Sequence, residues 1–87
     1  MLEDLIGQEI VVDLRSQYVC LGTLMSIHEL YLELKNADLH DLRDTDTTRE
    51  QYVVESSETG IKRNRRWLLV VRNDVVALSR LADVVCE

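Results

Sequence analysis

The chain has no proline, no phenylalanine, and only three glycines and two cysteines in 87 residues. With no proline to break backbone pairing, the boundaries between elements fall to glycine and short polar runs. Gly7, Gly22 and Gly60 are therefore each informative. Cys20 lies inside a strand-like run and Cys86 near the C-terminus, and neither has a CxxC or Cys/His neighbour. Zinc and redox motifs are thus unsupported, and a reducing cytoplasm is the simplest compartment. No apolar run approaches the length of a bilayer span, so no membrane partner is expected. The first 20 residues carry Glu3, Asp4, Glu9 and Asp13 but no basic segment followed by an apolar one, so no secretory leader is expected.

Positive charge is also scarce. Ten Lys and Arg stand against 16 Asp and Glu, for a formal charge of −6. That balance argues against tight nonspecific binding to duplex DNA, which depends on neutralising phosphates. It leaves room for a local basic site. The serines (Ser16, Ser26, Ser56, Ser57 and Ser79) lack a nucleophile-elbow context, and no cysteine has a histidine nearby in sequence. No enzymatic activity and no cofactor are expected. The length fits one small domain, 1–87, of a size that often gains stability by association.

What is present is mostly β-pattern. "MLEDLIG" places Leu2, Leu5 and Ile6 on one helical face with Gly7 as a stop, which predicts a helix of one or two turns. "QEIVVDLR" puts Ile10, Val12 and Leu14 on one face and Val11, Asp13 and Arg15 on the other, a half-buried strand. After Ser16-Gln17 comes "YVCLGTLMSI", residues 18–27, apolar on both faces, with Gly22 marking a bend or bulge. "ELYLELKNA" then alternates, with Leu30, Leu32 and Leu34 predicted inward and Tyr31, Glu33 and Lys35 outward. Three successive strands, the middle one long and bent at glycine, describe a meander curling into a small barrel.

Residues 38–48, "DLHDLRDTDTT", read as an acidic connector. Asp38, His40, Asp41, Asp44 and Asp46 lack the mid-loop glycine and terminal glutamate of a calcium loop, so a solvated acidic segment is expected and no metal site. Thr47 and Glu50 fit a capping box, and Gly60 a helix stop, predicting a helix over 48–59. The β-prone "YVV" at 52–54 makes a strand extension the rival reading. "RRWLLVVR" and "VVALSRL" are the fourth and fifth strands, joined at Asn73-Asp74.

The cluster Lys62, Arg63, Arg65 and Arg66 adjoins an insert holding Asp38, Asp41, Asp44, Asp46, Glu50, Glu55 and Glu58. Opposite charges so close in sequence favour pairing between the two arms, within a subunit or across a joint between subunits. The alternative is a basic rim that meets RNA phosphates.

A short N-terminal helix, five strands and a variable insert between the third and fourth together resemble the Sm/LSm family, in its bacterial or phage-type form. Gly7, the "IVVDL" strand and "GTLMSI" from Gly22, with a leucine two residues later, match the first motif. "LLVVRNDVVALS" is similar to the second, and the likeness covers nearly the whole chain outside an insert at about 38–63. Arg72 keeps the family's arginine, whereas Asn73 stands in the place of its glycine, a position asparagine suits if the turn is left-handed. The aspartate of RNA-binding members falls on His28, and their Met-Asn on Tyr31-Leu32.

The resemblance implies a mostly β fold: a strongly bent, five-stranded antiparallel barrel with a short N-terminal helix and a helical insert. It further implies a homo-oligomeric ring of about five to eight subunits, closed by pairing the fourth strand of one with the fifth of the next. Single-stranded RNA would then be held at the pore by His28, Tyr31, Arg72 and Asn73, with Tyr31 or His28 stacking on a base and Arg72 clamping it. Such a ring would act as an RNA adaptor or chaperone, or as a protein-interaction scaffold without RNA. A stand-alone SH3-like barrel would leave its apolar edge strands uncovered.

Overall fold

The computed structural model describes residues 1–86. Five antiparallel strands, β1 (Glu9–Leu14), β2 (Tyr18–Ile27), β3 (Tyr31–Asp41), β4 (Arg65–Val71) and β5 (Val75–Arg80), form one sheet in the order β4-β3-β2-β1-β5. A single helix, α1 (Arg49–Thr59), lies between β3 and β4. β1 pairs with β2 on one side and β5 on the other, so the sheet bends back on itself but stays open between β4 and β5.

The bend is set where β2 crosses β3. Between Leu21↔Asp38 and Thr23↔Lys35, β2 advances two residues while β3 advances three. The extra residue is a bulge, and Asn36 sits there at φ 51°, a left-handed backbone that asparagine tolerates. Opposite it, a Cβ on Gly22 would stand 3.0 Å from the Ala37 Cβ and 3.2 Å from its Cα. The predicted bend at Gly22 therefore has a steric cause: the two backbones approach too closely for any side chain there.

Bending encloses a core of Ile10, Val12, Cys20, Leu24, Leu32, Leu34, Ala37 and Val70. A second cluster lies on the opposite face, where Val11, Val19 and Leu21 meet Val53 of α1 and Leu81 of the C-terminal turn. This explains why β2 is apolar on both faces. One face lines the barrel and the other lies under the helix. Val11, expected on the exposed face, is buried for the same reason.

Several boundaries differ from expectation. The N-terminal helix is a single 3-10 turn, Leu2–Leu5, after which Gly7 takes φ 88° and donates to the Leu24 carbonyl at 2.7 Å. β3 continues four residues past Ala37, because Asp38, Leu39, His40 and Asp41 pair with Leu21, Cys20, Val19 and Tyr18. Asp38 is not solvated: at 6% exposure it accepts from the Tyr52 hydroxyl and, at 3.0 Å, from Asn64 Nδ2. Leu30, predicted inward, is 73% exposed because the strand begins only at Tyr31. Residues 52–54 are helical, which settles the rival strand reading.

The capping box lies one residue later than the expected Thr47–Glu50 pair. Thr48 Oγ1 accepts from Gln51 N at 3.1 Å, and Gln51 Oε1 accepts from Thr48 N at 3.0 Å. The Thr47 hydroxyl bonds Thr45 instead. At the other end Gly60, at φ 96°, closes α1 by donating to Ser56 O at 2.9 Å. Nor is the turn at Asn73 left-handed: Arg72–Asp74 is a 3-10 turn, and Asn36 is the only non-glycine with positive φ among the described residues. A right-handed turn needs no glycine.

Two outcomes follow for stability. Thr48→Ala should cost about 0.5–2 kcal/mol in denaturant unfolding, and Thr47→Ala clearly less. Equal losses for the two would contradict the observed cap. Gly22→Val should destabilise by about 1–3 kcal/mol, because Ala37 backbone atoms stand in its way. An unchanged midpoint would show that the bend does not depend on close approach.

Candidate functional site

The loop after β2 and the turn after β4 are tied together by the backbone. Arg72 N donates to Leu30 O at 2.9 Å, and Arg72 Nη1 to His28 O at 2.8 Å. His28 N in turn donates to Tyr31 O at 2.9 Å, which closes the tight β2–β3 connection. These bonds hold both loops at one end of the sheet, where Glu29, Leu30, Val71, Arg72 and Asn73 line a shallow open depression. Of the four residues predicted to contact RNA, Arg72 and Asn73 border this depression directly. His28 and Tyr31 stand beside it and stack on each other, with ring centroids 4.5 Å apart and planes at 29°.

A polar chain fixes the aromatic pair. Ser26 Oγ lies 2.8 Å from His28 Nε2 and donates to Glu33 Oε1 at 2.5 Å. The other oxygen of Glu33 accepts from Trp67 Nε1 at 2.7 Å. These bonds, first from Ser26 and then from Trp67, hold the Glu33 carboxyl below the usual carboxylate range, helped by its nearness to His28. Glu33 is therefore an anion at neutral pH that links the β2–β3 loop to the indole on β4.

This arrangement can hold a flat ring and an anion. The outer face of the His28–Tyr31 stack offers a surface for a base, and the guanidinium supplies cationic hydrogen-bond donors beside it. Arg72 is not free, however. One of its nitrogens is spent on the His28 carbonyl, which orients the fork and leaves its other donors for a ligand. Glu29 and Leu30 also line the depression but do not stand out in sequence. Only the lengths of β2 and β3, which make 28–30 a tight loop, place them there.

The basic cluster takes a different course from the expected pairing. Lys62 meets Glu55 of α1 at 3.8 Å, both well exposed, a contact of little energetic weight. Arg63 donates to Asn36 Oδ1 at 2.8 Å and Arg65 to its neighbour Asn64 O at 3.1 Å. Among the described residues, no carboxylate lies within 4.0 Å of Arg63, Arg65 or Arg66. Within one chain, pairing with the insert accounts for one of the four cations. Two acids of the insert are engaged elsewhere: Asp41 pairs with Arg43, which lowers its pKa to about 2, and Asp38 turns inward to Tyr52 and Asn64. Among the described residues, no three His, Cys, Asp or Glu side chains converge as a metal site would require.

No protein-family model matches the sequence, and comparison with the sequences of curated proteins finds no match. Comparison of the folds does. The chain is similar to the Sm protein of Pyrococcus abyssii, solved in complex with a uridine heptamer, with a TM-score of 0.61 at 14% identity over 90% of this chain and 89% of that one. At that identity the likeness is one of architecture, and it agrees with the five bent antiparallel strands. The chain has the fold of the Sm proteins.

Proposed function

We propose that this protein forms a ring and binds single-stranded RNA at the end of the sheet where His28, Tyr31, Arg72 and Asn73 lie, serving as an RNA adaptor or chaperone. The observation that carries the reading is the bonding of Arg72 to both Leu30 and His28, which sets a guanidinium beside an aromatic pair on a rigid scaffold. The similar archaeal Sm protein was solved with a uridine heptamer, which favours a uridine-rich single strand as the ligand.

Assembly is supported by the edges. β4 and β5 each have one strand neighbour, and they carry Leu69 and Val71 on the one and Val76 on the other as exposed apolar side chains. Unpaired apolar edges invite strand addition, and cyclic pairing of β4 with the β5 of a neighbour would cover every edge. A ring also repeats the loop site around its axis, so that weak single contacts add along one RNA strand.

A scaffold without RNA binding is the second reading. It is favoured by the engagement of Arg72 with a backbone carbonyl, and by the His28–Tyr31 stack, in which each ring already covers one face of the other.

Native mass measurement should give about five to eight protomers per particle. Val76→Asp, which sets a charge at the dry strand joint, should give monomers that keep the parent's circular dichroism. A monomeric parent at micromolar concentration would exclude the ring. Tyr31→Ala should weaken binding of a short oligouridylate by about 1–3 kcal/mol in an intact ring. If the parent binds no oligonucleotide even at low salt, the scaffold reading replaces the RNA one.

A further inference from the structure

The cations at the start of β4 stand apart from the acids that neighbour them in sequence. Arg63, Asn64, Arg65 and Arg66 line one shallow hollow, separate from the depression at Arg72. Among the described residues its three guanidinium groups meet no carboxylate, in a chain whose net charge is −6. So concentrated a positive site on an acidic protein attracts anions from outside the chain.

Trp67 follows directly. It is 57% exposed, and alternation along β4 puts it on the face turned away from the core that Leu68 and Val70 enter. Lys35 of β3 stands opposite it in register, and it too makes no salt bridge among the described residues. Arg65 lies two residues along the strand, about 7 Å away. The indole does not swing freely, because its Nε1 is held by Glu33. The ring face is therefore presented to solvent in a fixed orientation, with cations on two sides.

We infer that this surface is a second contact for single-stranded RNA, in which a base stacks on Trp67 while the flanking phosphates sit on Arg63 and Arg65, with Lys35 opposite and Arg66 adding its charge from the rim of the same hollow. It rests on the proposed RNA function for the class of ligand, and it lies apart from the His28–Arg72 site. A single strand suits the surface better than an acidic peptide. Both would satisfy the cations, but only a nucleic acid also brings a flat ring to an exposed indole face. Duplex RNA fits poorly, since its bases are already stacked and its phosphates are what a protein mainly meets. Bonding to Glu33 also links the two surfaces, since the same carboxylate holds Ser26 beside His28.

Trp67 is the only tryptophan in the chain, so its fluorescence places the probe on this surface. The experiment is a titration of the full chain with fluorescein-labelled oligouridylate and oligoadenylate, reading Trp67 emission and oligonucleotide anisotropy together. Stacking should quench Trp67 emission in step with binding. The triple variant Arg63→Gln, Arg65→Gln, Arg66→Gln should bind at least about ten-fold more weakly at low salt. Its dependence of log affinity on log salt should be shallower by about 2, at roughly 0.7 for each phosphate that is no longer neutralised. Native mass on the same variant separates weaker binding from failed assembly. Arg72→Gln should weaken binding through the other site, while the oligonucleotide that remains bound still quenches Trp67.

Binding without any quench of Trp67, and undiminished in the triple variant, would overturn this inference while leaving the His28–Arg72 reading standing. Quenching that persists when Arg72→Gln and Tyr31→Ala have no effect on affinity would support this surface and overturn that reading. Quenching by a poly-glutamate peptide but by neither oligonucleotide would assign the surface to an acidic protein partner and refute the RNA contact. No response to any of the three would refute it as well.

Discussion

Ala37 packs against Gly22 at a distance that leaves no room for a second Cβ, 3.0 Å from where one would stand. Much of the molecule depends on that approach. It lets β3 carry an extra residue at Asn36, which sharpens the bend of the β2–β3 ribbon beyond ordinary sheet twist. The bend turns one face of the ribbon into the wall of a core and brings β5 alongside β1. It also carries the β2–β3 loop to the same end of the sheet as the turn after β4, where Arg72 bonds both Leu30 and His28. A flat sheet of the same strands would have neither the enclosed core nor the paired loops.

The helical insert forms a second layer on this bent sheet. Val53 of α1 completes a small core with Val11, Val19 and Leu21, while Tyr52 lies flat on His40, centroids 3.9 Å apart. Beneath the helix, the buried Asp38 accepts from Tyr52 and Asn64, so the carboxylate enters a dry place with partners on both oxygens. Asn64 also bridges the backbone of Leu39 in both directions, which sets the point where the chain turns from the insert into β4. The same environment silences Cys20: burial, and then the charge of Asp38, push its thiol up to about 12. By satisfying Asp38 internally, the insert removes the nearest acid from the reach of the arginines that follow.

Charge is therefore segregated rather than mixed. Within the insert Asp41 pairs with Arg43, Arg49 reaches back to Asp13, and of the basic cluster only Lys62 meets an insert acid, Glu55. Arg63, Arg65 and Arg66 lie beyond that network, exposed around one hollow at the start of β4. An acidic protein with a local cationic surface attracts polyanions only at that surface, and the remaining negative charge disfavours nonspecific coating. A ring of such chains would repeat the pattern around its circumference.

Alternation in β1 and β3, and apolar runs in β2, β4 and β5, were enough to read the five strands from the sequence, and β2 was legible from Tyr18 to Ile27 because Ser16-Gln17 and Glu29 bracket it. Gly22 announced the bend, and the Gly60 stop with hydroxyl residues upstream announced the helix. These are local signals, carried by side-chain period and backbone freedom. The capping register was not legible, because Thr47 and Thr48 are both competent hydroxyls and only the start of α1 chooses between them. Leu30 was misplaced because a period-two pattern does not say where a strand begins. The fate of the basic cluster lay furthest from view. Proximity in sequence pointed Arg63, Arg65 and Arg66 at the acids of the insert, but the turn at Asn64 directs the chain away from α1 into β4, and Asp38 folds beneath the helix. The sequence by itself determined the elements, the bend and the sign of each charge. Only the tertiary structure decided which charges meet, because contact between residues far along the chain depends on the path that β3 and α1 impose on it.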